Sequence, residues 1–344
     1  MANNKNPREV KIGAGQAKPV TAQGKKTSAA NKTAAGKKAS AAKKTAAAKK
    51  TPRSKPVQKT EKSTADTHIL EETPPFYSAE GKRVAIVVGG SSGIGYHTAL
   101  GLCREGYSVY NLSRTDSEPG YIRNICADAT DKDEIGRAIQ SVFAREGRVD
   151  VLVYSAGWSL AAPLEHVSED DLRTLFETNY FGLIKALWAV IPIMRAQRDG
   201  RIIAVSSIGG TSPIPFDAPY SASKAAVDLT LRALAVELKP FNVLVTSVQP
   251  GGVRTRFTFK RKVYETNEVG EYAFSMDRAV KKLNQAEQEG MNPADVADAI
   301  IDTIQEKRPP LTKAIGFKNK SVKFAHKILP SALTDLMNRI SYDQ

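Results

Sequence analysis

Tyr220 and Lys224, in the run Tyr-Ser-Ala-Ser-Lys, are the residues whose types and spacing most directly suggest chemistry. Four apart on a helix, they share a face, so the lysine ammonium can sit beneath the phenol. A free tyrosine titrates near ~10, and an adjacent cation stabilises the phenolate and lowers that value. A tyrosine tuned in this way can exchange a proton with an alcohol or carbonyl oxygen. Ser207, thirteen positions upstream, adds a hydroxyl in the same region of the chain.

These residues need a scaffold, and the chain announces one early. Residues 82–88, Lys-Arg-Val-Ala-Ile-Val-Val, are apolar and rich in β-branched side chains, the pattern of a buried parallel strand. They run into Gly89-Gly-Ser-Ser-Gly-Ile-Gly95 and then an apolar helical stretch from Tyr96 to Arg104. In a strand–turn–helix unit, Gly89 permits the tight turn and Gly93 lets a pyrophosphate approach the backbone. Gly95 allows the helix to pack closely on the strand. The helix N-terminus supplies unpaired N–H groups and a favourable dipole for an anion. The candidate dinucleotide contacts here are Gly89, Ser91, Ser92, Gly93, Ile94 and Gly95.

The second strand, Ser108 to Leu112, ends in Ser-Arg-Thr with no acid to accept hydrogen bonds from a free ribose 2′-hydroxyl. Arg114 stands where a 2′-phosphate would lie, which favours NADP(H) over NAD(H). A third strand near Tyr121 to Cys126 leads to Asp128 and Ala129, candidate contacts for the adenine edge. Further strands are expected near 150–154, 201–206 and 242–248. Helices are expected near 131–146, 168–196 and 219–239, with another opened by Asn292-Pro293 and running through Ile304. Strands alternating with amphipathic helices indicate an α/β class with a doubly wound parallel sheet, a Rossmann fold.

The glycine turn, Asn179, Ser207, Tyr220 and Lys224, in that order, resemble the short-chain dehydrogenase/reductase superfamily over residues 80 to 310. Gly89, Gly93 and Gly95 match its T-G-x-x-x-G-x-G pattern, with Val88 in place of the threonine. Its N-N-A-G segment appears as Tyr154-Ser-Ala-Gly157, which makes Ala156 and Gly157 further cofactor candidates. The resemblance implies that Tyr220 is the general acid or base and that Lys224 lowers its pKa and holds the nicotinamide ribose. It implies that Ser207 polarises the substrate oxygen, and that Asn179 kinks a helix and holds a water in the proton relay. Pro250-Gly-Gly-Val-Arg-Thr255 is similar to the family's P-G-x-V-x-T segment, so Pro250, Gly251, Val253 and Thr255 would lie against the nicotinamide. Such chemistry needs no metal, since hydride comes from the cofactor and the protein supplies position, polarisation and a proton.

The stretches Tyr220 to Ala226 and Glu237 to Val243 are similar to members that reduce lipophilic ketones, such as 1-acyl-dihydroxyacetone-phosphate reductases. Substrate choice in such folds lies in loops at the carboxyl ends of the strands, here 158–163, 208–219 and 252–290. Ile214, Pro215, Phe216, Phe257, Phe259, Tyr264, Tyr272 and Phe274 either line an apolar pocket there or simply pack a lid helix. The expected function is NADPH-dependent reduction of a lipophilic carbonyl. The alternatives are an NADP-dependent alcohol or hydroxysteroid dehydrogenase, and a nucleic-acid-associated protein whose nucleotide fold acts as a sensor. Family likeness also implies a homo-oligomer formed through the long helices.

The charge is very unevenly distributed. Residues 1–65 hold seventeen Lys/Arg against two Asp/Glu, while the other residues hold 33 against 34, so the basic character of the chain belongs to this tail. Residues 1–66 are a low-complexity Lys/Ala/Thr segment with almost no large apolar side chain to offset the entropy of ordering, and are expected to be disordered. Four roles fit it: salt-dependent contact with nucleic acid, attachment to an anionic membrane surface, solubilisation, or targeting. Residues 67–80, with Thr-Pro-Pro-Phe-Tyr, read as a linker into a domain at 81–310, and 311–344 as a C-terminal helical extension. That extension's apolar positions, Val322 among them, could cover the mouth of the site or rest on lipid. No run of about twenty uncharged apolar residues exists that would make a membrane span. Cys103 in a helix and Cys126 in a buried strand read as reduced thiols, which points to a cytoplasmic protein, peripheral to membrane or nucleic acid at most. His68, His97, His166 and His326 lack ligand spacing, and no metal site is expected.

Overall fold

The computed structural model describes residues 81–117, 120–316, 320–322, 324, 329–330 and 333. The expectations for the basic tail, the linker and most of the C-terminal extension lie outside these residues. The chain forms β1 (Val84–Val88), α1 (Gly93–Arg104), β2 (Ser108–Ser113), β3 (Arg123–Cys126), α2 (Lys132–Glu146) and β4 (Val151–Tyr154). Next come β5 (Leu160–Ala161), α3 (Glu169–Phe176), α4 (Gly182–Gln197), β6 (Gly200–Val205), α5 (Ala218–Leu238) and β7 (Val243–Gln249). The last elements are α6 (Phe257–Lys260), β8 (Lys262–Val263), α7 (Ala273–Gln288), α8 (Pro293–Gln305) and β9 (Thr312–Ala314).

Seven strands make one parallel sheet in the order β3-β2-β1-β4-β6-β7-β9, the doubly wound architecture expected from the strand–helix alternation. Its alternating side chains feed two cores. Val84, Ile86 and Val88 of β1 face one with α2, α4 and α5, whereas Ala85 and Val87 face the other with α1 and α8. A strand buried on both faces must be apolar throughout, and this is why β1 reads as an unbroken run rather than an alternation.

The register decides where the functional segments meet. Val88 stands opposite both Leu112 and Tyr154, Tyr154 opposite Ala204, and Val205 opposite Val248. The residues just beyond these pairs, Gly89, Ser113, Ser155, Ser206 and Gln249, therefore line up along one carboxyl edge of the sheet. The strand order reverses between β1 and β4, and ligands of open α/β sheets bind in that crevice.

Local signals end the elements cleanly. The Asp131 carboxylate accepts from the Asp133 and Glu134 amides at 2.8 and 2.9 Å at the start of α2, which stops at Gly147 with φ +73°. Asn292 accepts from the Ala294 amide at 3.0 Å before Pro293 opens α8.

Three features differ from the sequence-based expectation. The helix expected over 168–196 is divided into α3 and α4 by a π-helical turn, Glu177–Phe181, that contains Asn179. Thr312–Ala314, placed in the helical extension, instead pairs with β7 as the outermost strand. Three residues carry too little pattern to announce a strand, and the edge of β7 recruits them. Cys126 is exposed rather than buried, because β3 is the opposite edge of the sheet and its side chains are only partly covered.

Candidate active site

A single cavity of about 910 Å3 runs along the carboxyl edge of the sheet. At one end it is walled by Gly89, Ser91, Ser92, Gly93, Ile94, Arg114, Asp128 and Ala129. Ala156, Gly157, Pro250, Gly251, Val253 and Thr255 line it further on, and Ser207, Tyr220 and Lys224 line it beyond. The far wall includes Trp158, Ile214, Phe257, Leu283, Ala286 and, from the C-terminal segment, Val322.

Two residues expected at the site do not line it. Gly95 lies behind the turn, where a Cβ would meet the Gly89 carbonyl oxygen at 2.3 Å and the Ser155 Cβ at 3.1 Å. Its role is close packing of α1 against the strand ends. Asn179 is buried one layer back. Its amide group donates to the Trp158 carbonyl at 2.9 Å and to Ser223 Oγ at 3.1 Å, while its Oδ1 accepts from the Trp158 N–H at 3.0 Å. The π turn thus places Asn179 as a clamp on the loop after β4. Tyr154, standing where the family pattern has asparagine, donates from its hydroxyl to the Thr178 carbonyl at 2.5 Å in the same turn.

The nucleotide end has the features of an anion cradle. Gly89 has φ +82°, and a Cβ on it would lie 2.7 Å from the Ala156 nitrogen, so only glycine fits this turn. Ser92 starts α1 without capping it through its side chain, and no acidic residue occupies the first turn. The amides at that end are therefore free of a side-chain cap, the arrangement in which helix N-termini take phosphate oxygens. Arg114 is exposed and lies 3.8 Å from Asp128. Burial opposes the charge on Asp128, but the Thr130 amide and hydroxyl and the Arg114 guanidinium hold its carboxyl below the usual range. The residues present fit a dinucleotide.

At the other end, Tyr220 lies in the first turn of α5, buried against Phe257 with ring centroids 5.8 Å apart. Ser207, two residues past the end of β6, hydrogen-bonds the phenol. Lys224 is one turn along the helix, with Nζ 5.7 Å from the Tyr220 ring centroid and donating to the Val205 carbonyl at 2.9 Å. Burial raises the Tyr220 pKa, and the Ser207 hydrogen bond opposes that rise. Burial also pushes Lys224 down to about 8, against the pull of Asp228. Where the i, i+4 spacing alone predicts a lowered phenol, desolvation raises it, and Lys224 is itself desolvated. Asp228 is itself buried, accepting from Gln249 at 2.6 Å and from Ser247, so it ties α5 to β7 behind Lys224.

Only part of the expected aromatic wall reaches the cavity. Phe257 lines it, while Phe259 and Phe274 are exposed and Tyr264 donates to Asp171 at 2.6 Å. The sequence also gave no hint of a polar cluster beside Tyr220. Asp217, Arg261 and Glu287, which all line the cavity, converge there with Ser159. Asp217 stands at the N-cap of α5, yet its side chain makes no cap hydrogen bond.

The match to known proteins agrees with this geometry. The model of the short chain dehydrogenase family matches residues 83–265. The chain belongs to that family. It is 37% identical over 236 residues to a 3-ketodihydrosphingosine reductase of Bacteroides thetaiotaomicron, covering 68% of this chain and 88% of the relative. It is 30% identical to human retinol dehydrogenase 8, covering 70% of this chain and 83% of that one. A solved short-chain dehydrogenase from Streptomyces avermitilis is 31% identical, with a TM-score of 0.67 over 76% of this chain and 97% of its own. Membership in the short-chain dehydrogenase family makes the chain an oxidoreductase and implies a nicotinamide dinucleotide in the cavity.

Proposed function

We propose that the protein is an NADPH-dependent reductase of a carbonyl carried by a lipophilic substrate. One observation carries this reading: a single cavity joins the uncapped α1 terminus and Arg114, through Ser207, Tyr220 and Lys224, to a wall of Trp158, Ile214, Phe257 and Leu283. NADPH, when bound, would supply the hydride; the α1 amides would hold its phosphates and Arg114 its 2′-phosphate. Lys224 would donate from its ammonium to the nicotinamide ribose, and Thr255, which also lines the cavity, would hold the carboxamide.

Ser207 holds the substrate oxygen. Tyr220 would give that oxygen its proton as the carbonyl carbon is reduced, so that a ketone leaves as a secondary alcohol. Burial raises the phenol pKa and the Ser207 hydrogen bond opposes that rise, so Tyr220 is protonated at neutral pH, the form a proton donor needs. The names of the relatives, a ketosphingoid reductase and a retinol dehydrogenase, support a lipophilic substrate. Exposed Trp188, Leu229 and Val236 on α4 and α5 support pairing of two copies through these helices.

The test follows NADPH consumption against ketosteroids, retinal, acyl-dihydroxyacetone phosphate and 3-ketosphinganine. Turnover of one of them is expected, falling roughly 10²- to 10⁴-fold in Tyr220→Phe with NADPH binding retained. A Tyr220→Phe protein as active as the wild type, or no turnover of any lipophilic carbonyl, overturns the reading.

A further inference from the structure

The Asp217 carboxyl group is the most unusual feature of the cavity that proton transfer does not use. Asp217 is 2% exposed and lines the cavity three residues before Tyr220. Its Oδ2 accepts from the Ser159 hydroxyl at 2.8 Å, and its Oδ1 is buried without a hydrogen-bond partner. A buried carboxylate with an unpaired oxygen is costly, and the sites that retain one commonly have a ligand to complete it.

The surrounding charges say what kind of ligand. Arg261 is the buried cation nearest this cluster, but its guanidinium is already engaged. It pairs with Glu287, donates to Asn284 Oδ1 at 2.6 Å, and donates to Ser159 Oγ at 3.1 Å. It reaches Asp217 only through the Ser159 hydroxyl. Lys224, two turns along α5, has Asp228 as its charged neighbour. The cluster thus holds two carboxyl groups, Asp217 and Glu287, and one cation, a net negative charge out of water. Burial and Glu287 accordingly push the Asp217 carboxyl up to about 7, with Ser159, Arg261 and the Leu160 amide opposing. A hydroxyl on the substrate would fill the free oxygen but leave the charge. An ammonium group does both.

Placement narrows the class further. Asp217 precedes Tyr220 by one helical turn, and the backbone is held there by the Phe216 carbonyl, which accepts from the Ala162 amide at 2.9 Å. Asp217 lines the same cavity as Tyr220 and Ser207 and is near enough for its charge to act on the phenol, so a substrate whose carbonyl oxygen meets Tyr220 has Asp217 as a neighbour. We propose that Asp217 is the substrate's amine-recognition residue, so that the preferred substrate is a long-chain ketone with a primary amino group on the carbon next to the carbonyl. This rests on the reductase reading and specifies the substrate of the same site.

The test compares two probes with the full chain and NADPH: a long-chain 2-amino-1-hydroxy-3-ketone and the same ketone lacking the amino group. The expected kcat/KM ratio is at least tenfold in favour of the amino ketone in the wild type, and falls to near one in Asp217→Asn. Equal kcat/KM for the two ketones in the wild type overturns the amine site while leaving the reductase intact. Because Asp217→Asn could disturb the Ser159 contact, the wild type is also tested alone. Its inhibition by a long-chain 2-amino-1,3-diol is compared with that by the 1,3-diol, and equal inhibition again overturns the proposal. If neither ketone is turned over, the reductase reading fails. Amine-selective binding of the aminodiol, abolished by Asp217→Asn, would still support the site, and its absence would overturn it.

Discussion

The two ends of the cavity are built in opposite ways. The phosphate cradle at the nucleotide end is a contiguous piece of chain: β1, the glycine turn and the first turn of α1 lie within Val84 to Arg104. Backbone amides and tight contacts do its work, and the cost of misplacing an atom falls on the main chain. The substrate end is assembled from distant segments. Ser159 follows β4, Asp217 precedes α5, Arg261 lies between α6 and β8, and Glu287 ends α7. Side-chain charge and hydrogen bonding do the work there, in surroundings from which water is largely excluded. A backbone site tolerates few residue types and so leaves a motif; a side-chain site needs convergence and leaves scattered residues.

Substitutions at each end should expose that contrast. The largest stability effect is expected for Arg261→Met, which strands Glu287 as a buried carboxyl group without its cation. Chemical denaturation should show a loss of about 3–5 kcal/mol. A loss below about 1 kcal/mol would mean that water reaches the cluster and that the substrate end is not the charge-built region described. Gly95→Ala comes next, since its methyl would overlap the Gly89 carbonyl in backbone-to-backbone contact. A destabilisation of about 1–3 kcal/mol is expected together with weakened binding of NADPH and NADH alike. Unimpaired binding of both would show that the turn can shift, and would blur the distinction between the two ends.

The smallest effect is expected for Arg114→Ala. Arg114 is 79% exposed and holds Asp128 only at 3.8 Å, so folding should be unaffected. The KM for NADPH should rise about tenfold, equivalent to about 1.4 kcal/mol, with that for NADH little changed. An equal rise for both cofactors would assign Arg114 to the general nucleotide field rather than to a 2′-phosphate.

Legibility in the sequence followed the same division. The glycine turn, the apolar strand and the Tyr220–Lys224 pair could be read because each lies within one or two turns of chain, where geometry follows from spacing. Asn179 was placed through family likeness, yet its double hydrogen bond to Trp158 across the π turn was not visible beforehand. The aromatic loop was legible only in part. Phe257 and Phe259 are two residues apart on a four-residue helix and so point differently, one into the cavity and one into solvent. The sign of the shift at Tyr220 was also not open to spacing. An i, i+4 lysine predicts a lowered phenol, whereas the burial contributed by Phe257 and the loops around it prevails.

By itself the amino-acid sequence determined the fold class and family, and it singled out the glycine turn and the Tyr220–Lys224 pair that the structure brings to one cavity. Periodicity, glycine and i, i+4 spacing act over short stretches of chain, and their consequences do not depend on what packs against them. The tertiary structure alone decided which side chains share the substrate end, that Asp217 carries a buried oxygen without a partner, and how far Tyr220 and Lys224 are desolvated. Those properties depend on distance and water exclusion between residues as much as 128 positions apart, such as Ser159 and Glu287, and no local pattern encodes them.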